Sequence, residues 1–231
     1  MSPRPVRPGE HASAFAPDPY PGERPAGSFV VDDGGLLWPL ERTGTDWVVD
    51  RPDRPDLATW LTAAGASPLE ERVPLVGYGS NACPGKVLRN ATPLPAVHLA
   101  CTLEGLASVW CDGLTHRGDV PVTLVEAPGH TEEAALMLVD PAELAVLDVV
   151  EGRAARAYDL VRLEAGRVCV EGRPVTDTLT YVGRAPHRWP LLVDEAPVRR
   201  VDADQAGVRA LRSGPTTSVE PTPLGPVVPL G

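Results

Sequence analysis

Apolar residues in this chain come mostly in short runs bounded by glycine, proline and aspartate, and few of them repeat at helical spacing. That pattern predicts many short strands and few helices. Residues 28–31 and 36–40 flank Asp32-Asp33-Gly34-Gly35 and predict a hairpin, with 47–49 as a third strand. Leu57, Trp60 and Leu61 stand at i, i+3 and i+4, which predicts a helix over 56–64 that stops at Gly65. Residues 73–76 predict a buried strand ending abruptly in Gly77-Tyr78-Gly79-Ser80-Asn81, where Ser80 and Asn81 open a short helix; Pro84 suits the first turn of a helix just beyond. Residues 94–101 and 106–111 predict strands joined at Glu104-Gly105, and 120–125 and 133–139 another pair turning at Ala127-Pro128-Gly129. Asp140-Pro141-Ala142-Glu143 combines a cap, a first-turn proline and a capping-box glutamate, so a helix starts there and ends at Gly152. Residues 158–163 and 168–170 predict a hairpin around Glu164-Ala165-Gly166, 176–182 one more strand, and 202–212 a last helix capped by Asp202.

No regular β-α-β alternation runs through this list, which argues against a doubly wound sheet. The predicted class is α+β: a small mixed β-barrel with peripheral helices and an N-terminal β/α extension. Residues 1–26 carry seven prolines and little apolar surface, and predict a disordered or extended tail. Residues 27–72 form the extension packed on the core, 73–213 the main domain, and 214–231, with five prolines, a second unstructured tail.

Composition narrows the function. The 231 residues carry a formal net charge of −10 with Lys86 as the sole lysine, and no basic cluster interrupts it, which argues against nucleic-acid binding. No stretch approaches the ~20 apolar residues of a membrane helix. The first residues lack an apolar signal core, so the expected compartment is the cytoplasm. Cys83, Cys101, Cys111 and Cys169 show no metal-ligand spacing and are expected to be reduced, half-buried thiols, with no metal and no cofactor.

The stretch from Val73 to Asn81 is the natural place for chemistry. Two glycines bracket Tyr78 at a strand-to-helix turn, where backbone N–H groups point outward and favour an anion. Tyr78-Gly79-Ser80-Asn81 after an apolar strand resembles the signature of the γ-glutamylcyclotransferase-like family. Leu147-Asp148-Val149-Val150-Glu151-Gly152, followed by Tyr158, resembles its second motif, and Val122-Thr123-Leu124 with Ala127-Pro128-Gly129 its middle strand and turn. The resemblance spans residues 73–183, about half the chain, and leaves the front section as a departure from the family pattern.

The resemblance implies a closed β-barrel and a cofactor-free reaction on a small γ-glutamyl substrate. The substrate's α-amine attacks its own γ-carbonyl, releasing 5-oxoproline and a free amine or amino acid. Glu151 is implied as general acid/base. Gly79, Ser80 and Asn81 are implied as the substrate loop, and Tyr78, Tyr158 and Tyr181 as pocket tyrosines. The residues themselves fit this for Glu151: a carboxylate at a helix C-terminus beside Val149-Val150 is disfavoured both by the helix dipole and by burial. Arg153 and Arg156 stand beside it and would act in the opposite sense if close. Two alternatives stay open: a non-catalytic ligand-binding or regulatory module of the same fold, and an acyl-transfer enzyme using Cys83 with His98 or His116. Leaving group and oligomeric state are open as well.

Overall fold

The computed structural model of the chain describes residues 3–230. Its frame is one large mixed sheet. The principal strands are β1 (Phe29–Val31), β2 (Leu36–Thr43), β3 (Val73–Gly77), β4 (Ala96–Trp110), β5 (Val122–Val139), β6 (Tyr158–Arg162) and β7 (Leu179–Gly183). They lie in the order β6-β7-β3-β5-β4-β1-β2, with Glu10–His11 added beyond β2. Only β3 and β7 run parallel; the other neighbours along this path are antiparallel. Among the described residues four α-helices accompany the sheet: α1 (Leu57–Ala63), α2 (Pro84–Arg89), α3 (Pro141–Val150) and α4 (Gln205–Leu211).

The α+β class therefore stands, while the closed barrel does not. Strand β6 bonds to β7 and to no further strand of the path, and Glu10–His11 forms the other end, so the hydrogen-bonded ladder stays open. The front hairpin forms as predicted. Asp32 Oδ1 accepts from the N–H groups of Gly34 and Leu36, and Asp32 Oδ2 accepts from Trp38 Nε1. Strand β1 bonds directly to β4, so residues 27–72 extend the main sheet rather than sit apart from it. Val30, Leu40, Val49, Leu57, Trp60 and Leu61 share one core with Val76, Val97 and Leu136.

Three predicted hairpins are replaced. Residues 94–101 and 106–111 form a single strand, β4, which Gly105 crosses as a bulge at φ +68°. Residues 122–139 likewise run on as β5, and Ala127-Pro128-Gly129 is an excursion opposite that bulge rather than a turn between paired strands. The residues near 158–163 and 168–170 do not pair with each other: β6 takes β7, and Val168–Val170 takes β4. Local turn residues are compatible with both a hairpin and a bulge, and partner choice is made by burial of the strand faces. Helix α4 begins two residues later than expected, capped by Asp204 rather than Asp202.

Both expected tails are packed. Arg4–Pro5 pairs with Pro25–Ala26, and Phe15 is fully buried beside Val31, Leu37 and Cys83. The Phe15 carbonyl comes so close to Gly85 that a Cβ there would stand 2.2 Å from it, so only glycine admits the segment at this point. At the other end, Thr217–Ser218 pairs with Leu191–Val193, Leu224 is buried and the Val228 N–H bonds to the Leu160 carbonyl. Proline content signalled missing helix and ladder donors, but it does not prevent a segment with a few anchoring apolar residues from docking. Among the described residues no helix is long and apolar enough to cross a membrane.

Candidate active site

Strand β3 delivers Tyr78 to the core and then breaks at Gly79. Ser80–Ala82 forms one 3-10 turn, and Pro84 starts α2. Opposite, Asp140 and Glu143 close a reciprocal capping box at the start of α3, and the helix runs to Glu151, its C-cap residue, with Gly152 turning the chain at φ +66°. The two predicted motifs meet here: Asn81 Nδ2 donates to Glu151 Oε1 at 2.8 Å.

They meet in a cavity of about 400 Å³ lined by Tyr78, Gly79, Ser80, Asn81, Glu151, Tyr158 and Tyr181. Every site residue expected from the sequence is brought to this one pocket. The N–H groups of Gly79, Ser80 and Asn81 have no acceptor among the described residues, as the first turn of a helix requires.

Three of the tyrosines have their hydroxyls engaged within the protein. Tyr78 donates to the Tyr181 carbonyl at 2.6 Å and Tyr158 to the Val122 carbonyl at 3.0 Å. Tyr181 donates to Asp148 Oδ1 at 2.7 Å. These rings shape the pocket wall, and burial holds each phenol protonated.

Glu151 is half-buried overall. Burial is the main influence on its carboxyl and pushes it above the usual carboxylate range. The Asn81 hydrogen bond and Arg188 pull it back, and Asp148 adds to the rise. The arginine that acts on Glu151 is therefore Arg188, not Arg153 or Arg156. Arg153 is buried and donates to Asp148 Oδ2 at 2.7 Å and to the Val228 carbonyl, while Arg156 is exposed.

Arg188 was not singled out by sequence, because nothing local distinguishes it from its neighbours. It lines the pocket with its guanidinium 5.7 Å from the centre of the Tyr158 ring, and no carboxylate pairs with it among the described residues. Its turn, Pro186–Arg188, is clamped by two glycines. A Cβ at Gly183 would stand 2.1 Å from the Arg188 carbonyl, and one at Gly113 would stand 2.3 Å from that of His187. Lys86, Arg89, Arg117 and Asp119 also line the pocket, and Lys86 and Arg89 both pair with Asp18.

The Cys83 alternative loses its geometry. Cys83 is fully buried, its thiol faces the carbonyls of Phe15 and Ala16, and burial raises its pKa. His98 stacks on Phe29 and places Nε2 3.2 Å from the Asn81 carbonyl oxygen. Burial lowers its pKa to about 4, so it is neutral at pH 7, and its Nε2–H is the donor because a carbonyl can only accept. His98 thus holds the loop through the Asn81 carbonyl, and no hydrogen bond joins it to Cys83 among the described residues. His116 lines the outer pocket and approaches Arg117.

No family model matches the chain, and no curated protein matches it. Solved structures similar to it include a gamma-glutamyl cyclotransferase at 20% identity and TM-score 0.42, covering 49% of this chain and 67% of that one. An uncharacterised protein from Homo sapiens stands at 19% identity and TM-score 0.41, covering 50% and 68%. YkqA from Bacillus subtilis stands at 18% identity and TM-score 0.40, covering 71% of this chain and 57% of its own.

Proposed function

We propose that the chain is a cofactor-independent cyclotransferase acting on a γ-glutamyl amide or amine, with Glu151 as general acid/base. The observation that carries this is the 2.8 Å Asn81–Glu151 hydrogen bond inside the pocket: two motifs 70 residues apart, each resembling the same family, converge on one cavity. In this reading the substrate's α-amine forms a bond to the carbon of its own γ-carbonyl group, and the bond from that carbon to the departing nitrogen breaks. Glu151 takes the proton from that amine and returns it to the departing nitrogen, so no group is consumed. The free N–H groups of the Gly79–Asn81 turn receive an anionic oxygen of the substrate. Ring closure is intramolecular, so holding the folded conformer supplies a large part of the acceleration. Burial shifts the Glu151 carboxyl upward, the direction that favours its taking and returning a proton.

The test is mass spectrometry for 5-oxoproline after incubating the protein with a panel of γ-glutamyl amino acids and γ-glutamyl amines. Product from at least one of them is expected; none from the whole panel removes the cyclotransferase reading.

The electrostatics yield a second expectation. Glu151 must be ionised to accept the proton, so the acid limb of kcat/KM follows its pKa in the free protein. Arg188 stabilises the carboxylate. In Arg188→Met the limb should therefore move to higher pH, measured over a range of buffers at constant ionic strength. A limb that stays in place or moves down would mean that the titrating group is not Glu151.

A further inference from the structure

The chain has four tyrosines, and all four line the Glu151 pocket. Three spend their O–H proton on protein acceptors. Tyr20 does not. Its oxygen accepts the Val122 N–H at 3.3 Å, and its hydroxyl donates to no acceptor among the described residues. A phenol whose oxygen already accepts a hydrogen bond is a stronger donor through its remaining proton.

Tyr20 comes from the N-terminal segment, outside the stretch that carries the family resemblance, and its position is built rather than incidental. Its hydroxyl lies 2.8 Å from where a Cβ on Gly79 would be, so the absence of a side chain at Gly79 is what lets the phenol reach the loop. From the same segment Arg24 donates to the Gly79 carbonyl at 3.3 Å. The segment is anchored on α2 by Asp18, which pairs with Arg89 at 2.5 Å and with Lys86 at 3.6 Å. The Tyr20 ring packs 6.2 Å from Trp110, centre to centre. Burial, reinforced by the Glu151 charge, keeps the phenol protonated.

We propose that Tyr20 is the ligand-facing donor of this pocket: its O–H and the free N–H groups of the Gly79–Asn81 turn together bind one oxygen of the substrate. The identity of that oxygen rests on the cyclotransferase reading. As the amine bonds to the carbon of the γ-carbonyl group, the π pair of that carbonyl moves onto its oxygen. Tyr20 stabilises that oxyanion without giving up its proton. When the carbonyl re-forms, the leaving nitrogen departs with the proton carried by Glu151.

Two measurements test this, and they fail separately. The first uses the Glu151→Gln protein with 3-fluorotyrosine at all four tyrosines. The Tyr20 resonance is assigned by its loss in the Tyr20→Phe background, and γ-glutamylglycine is titrated in. The Tyr20 resonance is expected to move with saturation. The second compares Tyr20→Phe with native protein in turnover. The ring and its packing remain, so kcat should fall about 10²-fold with KM little changed and the thermal transition retained, the size found when one oxyanion donor is removed. A moving Tyr20 resonance with no 5-oxoproline from the native protein would uphold the ligand contact and sink the reaction. A Tyr20 resonance that stays fixed while another tyrosine moves, no binding at all, or an unchanged kcat in Tyr20→Phe would overturn the proposal.

Discussion

Glu151→Gln should slow 5-oxoproline formation by orders of magnitude, about 10²–10⁴, while leaving the pocket intact. Glutamine is nearly isosteric and keeps an oxygen for the Asn81 amide, which donates to Glu151 Oε1 at 2.8 Å in the native protein. What it cannot do is accept and return a proton. General acid/base groups contribute about 10²–10⁴ in rate, so loss of kcat in that range is expected, with ligand affinity preserved. Turnover at the native rate would remove Glu151 from the mechanism.

The same variant makes a stability prediction of definite sign. Burial raises the folded-state pKa of Glu151, so its contribution to stability is present below the unfolded carboxyl pKa of about 4.3 and is lost as pH rises through the folded value. Glutamine does not titrate. The stability of Glu151→Gln relative to native protein should therefore increase with pH from acid to neutral, as read by denaturant unfolding at pH 4 and pH 7.

Arg72→Met should cost about 3–5 kcal/mol of stability. Arg72 and Glu143 side chains are 1% and 2% exposed and meet at 2.8 Å. Arg72 also donates to the carbonyls of Ser67 and Leu138, while Glu143 Oε2 accepts the Asp140 N–H. One guanidinium thus ties the approach to β3 and the end of β5 to the first turn of α3, the helix that carries Glu151. Methionine fills much of the volume but leaves the Glu143 carboxyl unpaired. Burial already pushes Glu143 up to about 7 against the pull of Arg72, so without the arginine the group must protonate or the site must open. The loss should be larger at pH 8 than at pH 5, because only the ionised carboxyl lacks its counter-charge. A melting transition shifted by less than about 2 °C would show that the pair contributes little, given ~2–4 °C per kcal/mol at this chain length.

The sequence was legible wherever the physics is local. The capping box at Asp140 and Glu143, the Asp32 turn and the glycine after Glu151 all act within a few residues of chain, and each forms as the sequence predicts. The α+β class followed from the same short-period patterning. The candidate site was legible because its two motifs are themselves compact, and Asn81 and Glu151 do meet.

Strand partnership was not legible. Gly105 and Ala127-Pro128-Gly129 read as turns, and the fold uses them as facing irregularities in two long strands. Turn chemistry states where a chain can bend; which faces are buried together decides whether it does. The proline-rich ends misled for a related reason. Composition records how little apolar surface they have, but Phe15 and Leu224 suffice once glycines such as Gly85 let the backbone approach. Arg188 and Tyr20 lay beyond sequence reasoning altogether. An arginine without a carboxylate partner and a phenol with its proton free, among the described residues, are defined by what surrounds them, and those neighbours come from the turn after β3 and from β5 and β6, far away along the chain. The sequence by itself determined the caps, the turns, the α+β class and the two motifs, because these depend on neighbours along the chain. Only the tertiary structure decided the strand order, the docking of both ends and the charges around Glu151, because these depend on which distant surfaces exclude water from one another.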